Sequence, residues 1–410
     1  MKCSIVTIGT EILLGDIINT NSAYLSRKLA EHGIAVFSHH TVGDNPDRIQ
    51  DTFKTAFKNC DTVITTGGLG PTEDDITREA VARFLGLELA SDAKAQTEIA
   101  AFFEQRGRSM SPSNLKQAMF PEGSIICHNS RGTAPGAIAS SNGKTVIMLP
   151  GPPFELELMF QNSVLPYIEK ISSQVFRSRV IHFSDIGESE MNDRVKDLLD
   201  GKNPTVAPYA KTSGCQLRIT AGAKDHDYAM KLIKPLEDEI VNRLPEYIYG
   251  YDDDTLESRA AELLKKLSMT ISCAESCTGG MLSSTLVNYA GISDVFAGSV
   301  ISYSNAVKIQ ELSVEESILE KNGAVSEECA RAMVIGCAQK FNTDVAISIT
   351  GIAGPGGATD DKPVGTVYTG LYINGQVSIR KLNMFGDRQR IRLRTVNSVL
   401  FNLVKELEKL

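Results

Sequence analysis

A chain of 410 residues with 42% hydrophobic and 22% charged residues has the composition of a soluble globular protein and is too long for one ordinary core, which predicts two or three domains. The formal net charge of −8 argues against bulk binding to nucleic acid or to an anionic membrane. No apolar run approaches the ~20 residues of a membrane span. Eight scattered cysteines lack CxxC or Cys/His ligand spacing, which argues against a disulfide framework or structural zinc and for reduced thiols in the cytoplasm.

The chain opens with a short apolar run that ends at Gly9, which reads as a buried first strand rather than a secretory leader. Strands over 4–8, 35–41 and 62–66 then alternate with helices over 21–32, 46–58 and 75–85. Such alternation predicts right-handed βαβ units and a mainly parallel sheet with helices on both faces. The Gly/Pro/Asn/Ser-rich stretch from 125 to 143 reads as hairpin excursions, and 145–149 as a returning buried strand. A different texture follows: a helix over 188–199, an alternating strand over 216–222 and a helix over 226–243. Asp252-Asp253-Asp254-Thr255 is a polar break that supplies helix caps. A third block again alternates. It has helices over 256–267, 280–289 and 326–341, strands over 270–274, 296–303, 344–349, 364–373 and 376–383, and a final helix from about 387. The expected class is α/β: two doubly wound domains with mainly parallel sheets, 1–170 and 253–410, joined by a small α+β module over 171–252.

Thr66-Gly67-Gly68-Leu69-Gly70-Pro71-Thr72 follows a buried strand and precedes a helix, where glycines let backbone approach an anion. Asp74 and Asp75 follow as hard oxygen donors suited to Mg²⁺; the bland reading is a glycine turn with acidic helix caps. Gly9-Thr10-Glu11 and the run from Gly15 to Asn21 come after the first strand, so both loops are expected at the carboxyl edge of one sheet. In the third block, Ala274-Glu275-Ser276-Cys277-Thr278-Gly279-Gly280 puts a serine where a strand meets a glycine pair. The N–H groups of Thr278, Gly279 and Gly280 are expected at the positive end of a helix, placed for an oxyanion or a phosphate. Tyr303 and Lys308 follow at the end of the next strand-like segment; a neutral Lys308 could serve as base for Ser276, and Tyr303 could relay a proton. Cys273 and Cys277 read as small buried hydrophobes rather than nucleophiles. Thr350-Gly351-Ile352-Ala353-Gly354-Pro355-Gly356-Gly357 is either a wide turn or a close backbone approach to a ligand. Arg388, Arg390 and Arg392 concentrate guanidinium groups, which suit bidentate phosphate binding.

Gly9-Thr10-Glu11, the Gly15 to Asn21 run and the Thr66 to Thr72 loop resemble the molybdopterin-binding (MoaB/MogA-like) domain in its CinA form. The motifs at 274–280, 298–308, 324–328, 350–357 and 386–392 resemble the CinA C-terminal, or PncC, family, five motifs in order. The middle segment looks like the KH-type linker of full-length CinA proteins. It lacks the GxxG loop that clamps nucleic acid, since none of Gly187, Gly201, Gly214 or Gly222 begins one, so a structural or dimer-bridging role is expected.

For the C-terminal domain the resemblance implies deamidation of nicotinamide mononucleotide (NMN) to nicotinate mononucleotide and ammonia, a step of pyridine-nucleotide (NAD) salvage, without a cofactor. Ser276 would be nucleophile, Lys308 its general base and Tyr303 the assisting hydroxyl, with Thr278, Gly279, Gly280, Gly351, Gly354, Gly356, Arg388 and Arg392 binding substrate. For the front domain it implies ADP-ribose pyrophosphatase chemistry giving AMP and ribose 5-phosphate. A divalent metal, Mg²⁺ or a transition metal such as Co²⁺, would be held by Asp75 and Asp44, with Glu11 a further candidate. Gly67, Gly68, Gly70, Thr72, Glu11 and Asn21 would bind substrate there. The expected partners are small nucleotides and a second copy of the chain in a homodimer, not nucleic acid or membrane. Two other readings stay open: a non-catalytic front domain that binds a molybdopterin-like ligand, and a binding protein of competence or DNA damage.

Overall fold

Alternate residues of the buried strands face opposite cores, and this period of two sets the layering of the first domain. In the strand Lys2–Ile8, Cys3 and Ile5 join one apolar cluster and Val6 and Ile8 another. The strands Thr62–Thr66 and Lys144–Leu149 divide in the same way, Ile64, Ile147 and Leu149 against Val63, Val146 and Met148. Strands buried on both faces require helices on both. Thr20–Glu31 covers one through Tyr24, Leu25 and Leu29; Pro46–Ala56 and Thr77–Leu85 cover the other through Ile49, Phe53, Val81 and Leu85. The computed structural model describes residues 2–171, 175–211 and 214–410. The expected boundary at 170/171 falls beside residues 172–174, which lie outside them.

The first sheet runs Ala35–Val42, Lys2–Ile8, Thr62–Thr66, Lys144–Leu149, Gly136–Ser141, Ile125–Cys127. The first four strands are parallel and the last two antiparallel. From Lys2–Ile8 the chain goes first to one neighbour and then to the other. Its following loop and the loop after Thr62–Thr66 therefore part at the carboxyl edge, the place where such sheets bind ligands. The 125–143 stretch does form hairpin excursions: Ile125–Cys127 pairs antiparallel with Gly136–Ser141, which returns to Lys144–Leu149 through Asn142 and Gly143 at φ 53° and 72°, the left-handed pair of a two-residue turn.

The C-terminal sheet repeats this opening. Its order is Phe296–Ile301, Ile271–Glu275, Val345–Gly351, Thr366–Ile373, Gln376–Asn383, the first three parallel and the last two antiparallel. Ile271, Cys273, Ile347 and Ile349 face a core closed by Leu256–Leu267 and Arg388–Leu407, while Ala274 and Ala346 face Glu327–Phe341. The apolar stripe of the final helix, Val399, Leu400, Leu403, Val404 and Leu407, lies in the first of these cores.

Residues 175–251 form a four-stranded sheet in the order Thr205–Lys211, Gly214–Ala223, Val175–Phe183, Ile248–Tyr251, with the helices Glu188–Val195 and His226–Arg243. By contacts the chain forms two compact units, Met1–Ser178 with Thr220–Ile233 and Arg179–Ile219 with Lys234–Leu410. Among the described residues no helix is long and apolar enough to cross a membrane.

Three expectations are corrected. The helix expected from 75 begins at Thr77, because the Asp75 carboxylate turns back to accept the Thr72 N–H at 3.0 Å and the Thr72 hydroxyl. The strand expected over 296–303 stops at Ile301. Lys308 is not at a strand end but in a helix, Asn305–Leu312, whose cap Ser304 accepts the Val307 N–H at 3.3 Å.

Candidate active sites

Ser276 directly follows the interior strand Ile271–Glu275. Its N–H donates to the Ile349 carbonyl at 2.9 Å, which pins the residue between the strands Ile271–Glu275 and Val345–Gly351. Lys308, 1% exposed, reaches it from the helix Asn305–Leu312. Lys308 Nζ lies 3.1 Å from Ser276 Oγ and 2.6 Å from the Ser302 carbonyl oxygen, so both partners are neutral. Burial pushes the amine below its usual value, against a weaker opposing effect of Cys329 and Cys277. The two cysteines flanking Ser276 are themselves poor nucleophiles: burial raises Cys277 to about 11 and pushes Cys273 well above the usual thiol value.

The residue that sequence reasoning missed is Glu275. It is fully buried, and its carboxylate accepts the N–H groups of Gly280 (3.1 Å), Leu282 (3.0 Å) and Ser283 (2.8 Å) and the Ser283 hydroxyl (2.6 Å). These are the orphan donors that a helix start must satisfy. The Gly279 N–H is also spent, on the Ser276 carbonyl at 3.1 Å. Gly279 and Gly280 therefore do not hold free N–H groups toward a substrate. Their positive φ, 57° and 90°, turns the chain so that Glu275 can plug the helix. An acidic residue ending a wholly buried strand was the available signal.

The arginines serve the loops. Arg392 donates from Nε (3.2 Å) and Nη2 (2.6 Å) to the Thr278 carbonyl, and Arg388 from Nη1 to the Gly354 carbonyl (2.6 Å) and from Nη2 to the Tyr303 hydroxyl (3.2 Å). Four residues apart on one helix, they share a face and tie the Ser276, Gly354 and Tyr303 segments together. The Thr278 hydroxyl is buried without a partner. Gly351 ends its strand where a Cβ would come within 2.9 Å of the Thr366 carbonyl, whereas Gly356 is exposed and uncrowded.

In the front domain Glu11, Asp44, Asp74 and Asp75 line one cleft of about 360 Å³ with Gly67, Gly68 and Gly70. Gly67, at φ 98°, lies so close to Ile8 that a Cβ would sit 2.1 Å from its carbonyl oxygen. Arg78, 1% exposed, braces this loop by donating to the carbonyls of Leu69 (3.0 Å) and Pro135 (3.1 Å), and burial lowers it to about 10. Neither Arg78 nor Glu155, a cleft carboxylate raised by burial, was anticipated. Asp44 Oδ2 accepts the Thr10 N–H (3.0 Å) and hydroxyl (2.8 Å), much as Asp75 accepts from Thr72. Thr72 is thus engaged with the protein itself. Asn21 donates to Thr66 Oγ1 (2.9 Å) and the Gly151 carbonyl (2.7 Å).

Among the described residues no group of three or more His, Cys, Asp or Glu side chains is placed to hold a metal ion by itself. The donor chemistry still fits a hard cation, since Mg²⁺ uses one or two carboxylates and completes its shell with water and substrate phosphates.

Three family profiles match the chain in order: "Probable molybdopterin binding domain" over residues 4–170, "Damage-inducible protein CinA KH domain" over 178–250 and "CinA C-terminal domain" over 253–407. A protein of Clostridium perfringens, named provisionally as competence-damage inducible, is 51% identical over 411 residues, covering 100% of both chains. A CinA-like protein of Dictyoglomus thermophilum is 50% identical over 401 residues, 98% of each chain. Among solved structures, CinA from Thermoplasma acidophilum, described as of unknown function, is 38% identical and covers 41% of this chain and 96% of its own, with a TM-score of 0.37.

Proposed function

The chain belongs to the CinA family, and from that premise we propose that its C-terminal domain is a serine–lysine amidase acting on NMN. The observation that carries this reading is the buried contact of Lys308 Nζ with Ser276 Oγ at 3.1 Å, with burial lowering the amine. A neutral amine has two N–H donors and one lone pair. The Ser302 carbonyl takes one donor, and the lone pair is free to take the Ser276 proton. Ser276 Oγ then bonds to the carboxamide carbon. The carbon–nitrogen bond breaks, Lys308 returns the proton to the leaving nitrogen, and ammonia departs. Water, deprotonated by the same lysine, opens the ester to give nicotinate mononucleotide and regenerate Ser276.

Arg388 and Arg392 use only part of their five N–H donors on Gly354, Tyr303 and Thr278, which leaves charge for the substrate phosphate. Tyr303, 62% exposed and bonded to Arg388, is suited to orient the carboxamide. The test is ammonia release from NMN by the purified protein without added metal. Wild type yields equal ammonia and nicotinate mononucleotide, and Ser276→Ala yields neither. Full activity in Ser276→Ala would overturn the mechanism.

The front cleft supports a second activity, hydrolysis of ADP-ribose to AMP and ribose 5-phosphate. What favours it is the convergence of Glu11, Asp44 and Asp75 on a cleft that the glycine loop also lines. Asp44 and Asp75 would hold a divalent cation that neutralises diphosphate charge and activates water. The glycine loop leaves room for phosphate oxygens to approach backbone. The eight unpaired thiols support a cytoplasmic setting, and a homodimer is the proposed assembly.

A further inference from the structure

The front cleft holds a carboxylate that the cation does not need. The strand Lys144–Leu149 runs through Pro150-Gly151-Pro152 into the helix Pro153–Met159, and Glu155 lies in the first turn of that helix. Glu155 thus comes from the same sheet edge as the glycine loop. It lines one cleft with Glu11, Asp44 and Asp75. A volume of about 360 Å³ is that of a site for one small ligand, so these carboxylates face the same substrate.

The Glu155 carboxylate is anchored on one side and open on the other. Its Oε2 accepts the Asn129 amide at 2.6 Å. That amide has one orientation, because Asn129 Oδ1 accepts the N–H groups of Arg131 (3.0 Å) and Gly132 (2.8 Å), which can only donate. Asn129 Nδ2 also donates to the Ala134 carbonyl at 2.9 Å. The loop lies directly against the carboxylate: a Cβ at Gly132 would come 2.3 Å from Glu155 Oε2. Glu155 Oε1 accepts no bond among the described residues and is not sealed from solvent. One oxygen is therefore fixed, and the other can meet a water. Burial raises this half-buried carboxyl above its ordinary value, with Asn129 opposing. A raised carboxyl is a stronger base than a surface glutamate.

We propose that Glu155 is the general base of the front domain, its Oε1 taking a proton from the water that attacks the diphosphate. The proposal rests on the pyrophosphatase reading of the cleft. As Oε1 takes the proton, the water oxygen bonds to one phosphorus and the bridging phosphorus–oxygen bond breaks. The bridging oxygen leaves on the other phosphate, so AMP and ribose 5-phosphate separate. Glu155 then passes its proton to solvent. Asp44 and Asp75 remain with the cation, since Mg²⁺ takes only one or two protein carboxylates.

The test compares ADP-ribose turnover with Mg²⁺ or Co²⁺, and calorimetric binding of AMP, in wild type, Glu155→Gln and Glu155→Ala. Glu155→Gln keeps the shape of the side chain and an acceptor for Asn129. It is expected to lose on the order of 10²-fold in kcat and to bind AMP as wild type does. Formate added to Glu155→Ala supplies a carboxylate in the vacated position and is expected to restore ~10-fold of the lost rate, which a purely structural role would not allow. Wild-type turnover by Glu155→Gln overturns the proposal. A loss of AMP binding as large as the loss of rate also overturns it and makes Glu155 a substrate ligand. Absence of rescue by formate in folded Glu155→Ala overturns it as well; should that variant not fold, the turnover of Glu155→Gln decides. If wild type hydrolyses no ADP-ribose with either metal, the pyrophosphatase reading falls and the base with it. If wild type and Glu155→Gln are equally active, only the base falls.

Discussion

At the scale of single residues the proposed chemistry depends on Lys308 being an amine rather than an ammonium ion. Burial disfavours the charged form, so the amine loses its proton below lysine's ordinary 10.5. The rate of NMN deamidation should then be low in acid and rise with pH as Lys308 deprotonates. Lys308→Arg keeps a positive charge but cannot become a base, and is expected to lose ~10²-fold or more in rate, the usual worth of a general base. A pH-independent rate, or an active Lys308→Arg enzyme, would show that a fixed charge is enough. The serine and lysine were legible in the sequence because their motifs recur in a fixed order. Glu275 was not, since the N–H groups it satisfies belong to a helix start whose direction appears only once the strand and the glycine turn are built. The arginines were read as phosphate ligands, yet their bonds to Thr278, Gly354 and Tyr303 join segments far apart in sequence.

At the scale of elements, each site depends on a strand that ends in a tight turn. Gly67→Ala puts a Cβ 2.1 Å from the Ile8 carbonyl at a left-handed φ, and should lower stability by ~1–3 kcal/mol, read as a shift in the urea midpoint. An unchanged midpoint would mean that the loop can relax away from the first strand. Glu275→Gln replaces one of two accepting oxygens with a donor that faces N–H groups. A loss of ~1–3 kcal/mol is expected from the unpaired buried donors, together with slower deamidation as Ser276 shifts; wild-type urea stability and rate would show that the plug is dispensable. The interior strands of the outer domains, such as Lys2–Ile8, Thr62–Thr66, Ile271–Glu275 and Val345–Gly351, were readable because they are buried on both faces. The helix Asn305–Leu312 was not, because only Lys308 and Leu312 are buried and no apolar stripe marks it. Three of the four middle strands were missed for a similar reason: Val175–Phe183 is half-buried over six of its nine residues.

For the whole molecule, two sheets open with the same arrangement, a first strand flanked by the second and third, and each presents its candidate residues at the carboxyl edge. The sequence shows no matching repeat, because topology constrains burial and turns rather than residue identity. If the domains carry separate chemistries, their requirements should separate as well. EDTA should abolish AMP release from ADP-ribose and leave ammonia release from NMN unchanged; loss of both would tie the amidase to a metal. The most direct measurement runs both assays on wild type, Ser276→Ala and Asp75→Asn, each checked for intact fold by circular dichroism. The prediction is that Ser276→Ala releases no ammonia from NMN while Asp75→Asn releases it at the wild-type rate. Ammonia release by Ser276→Ala at the wild-type rate would contradict the account.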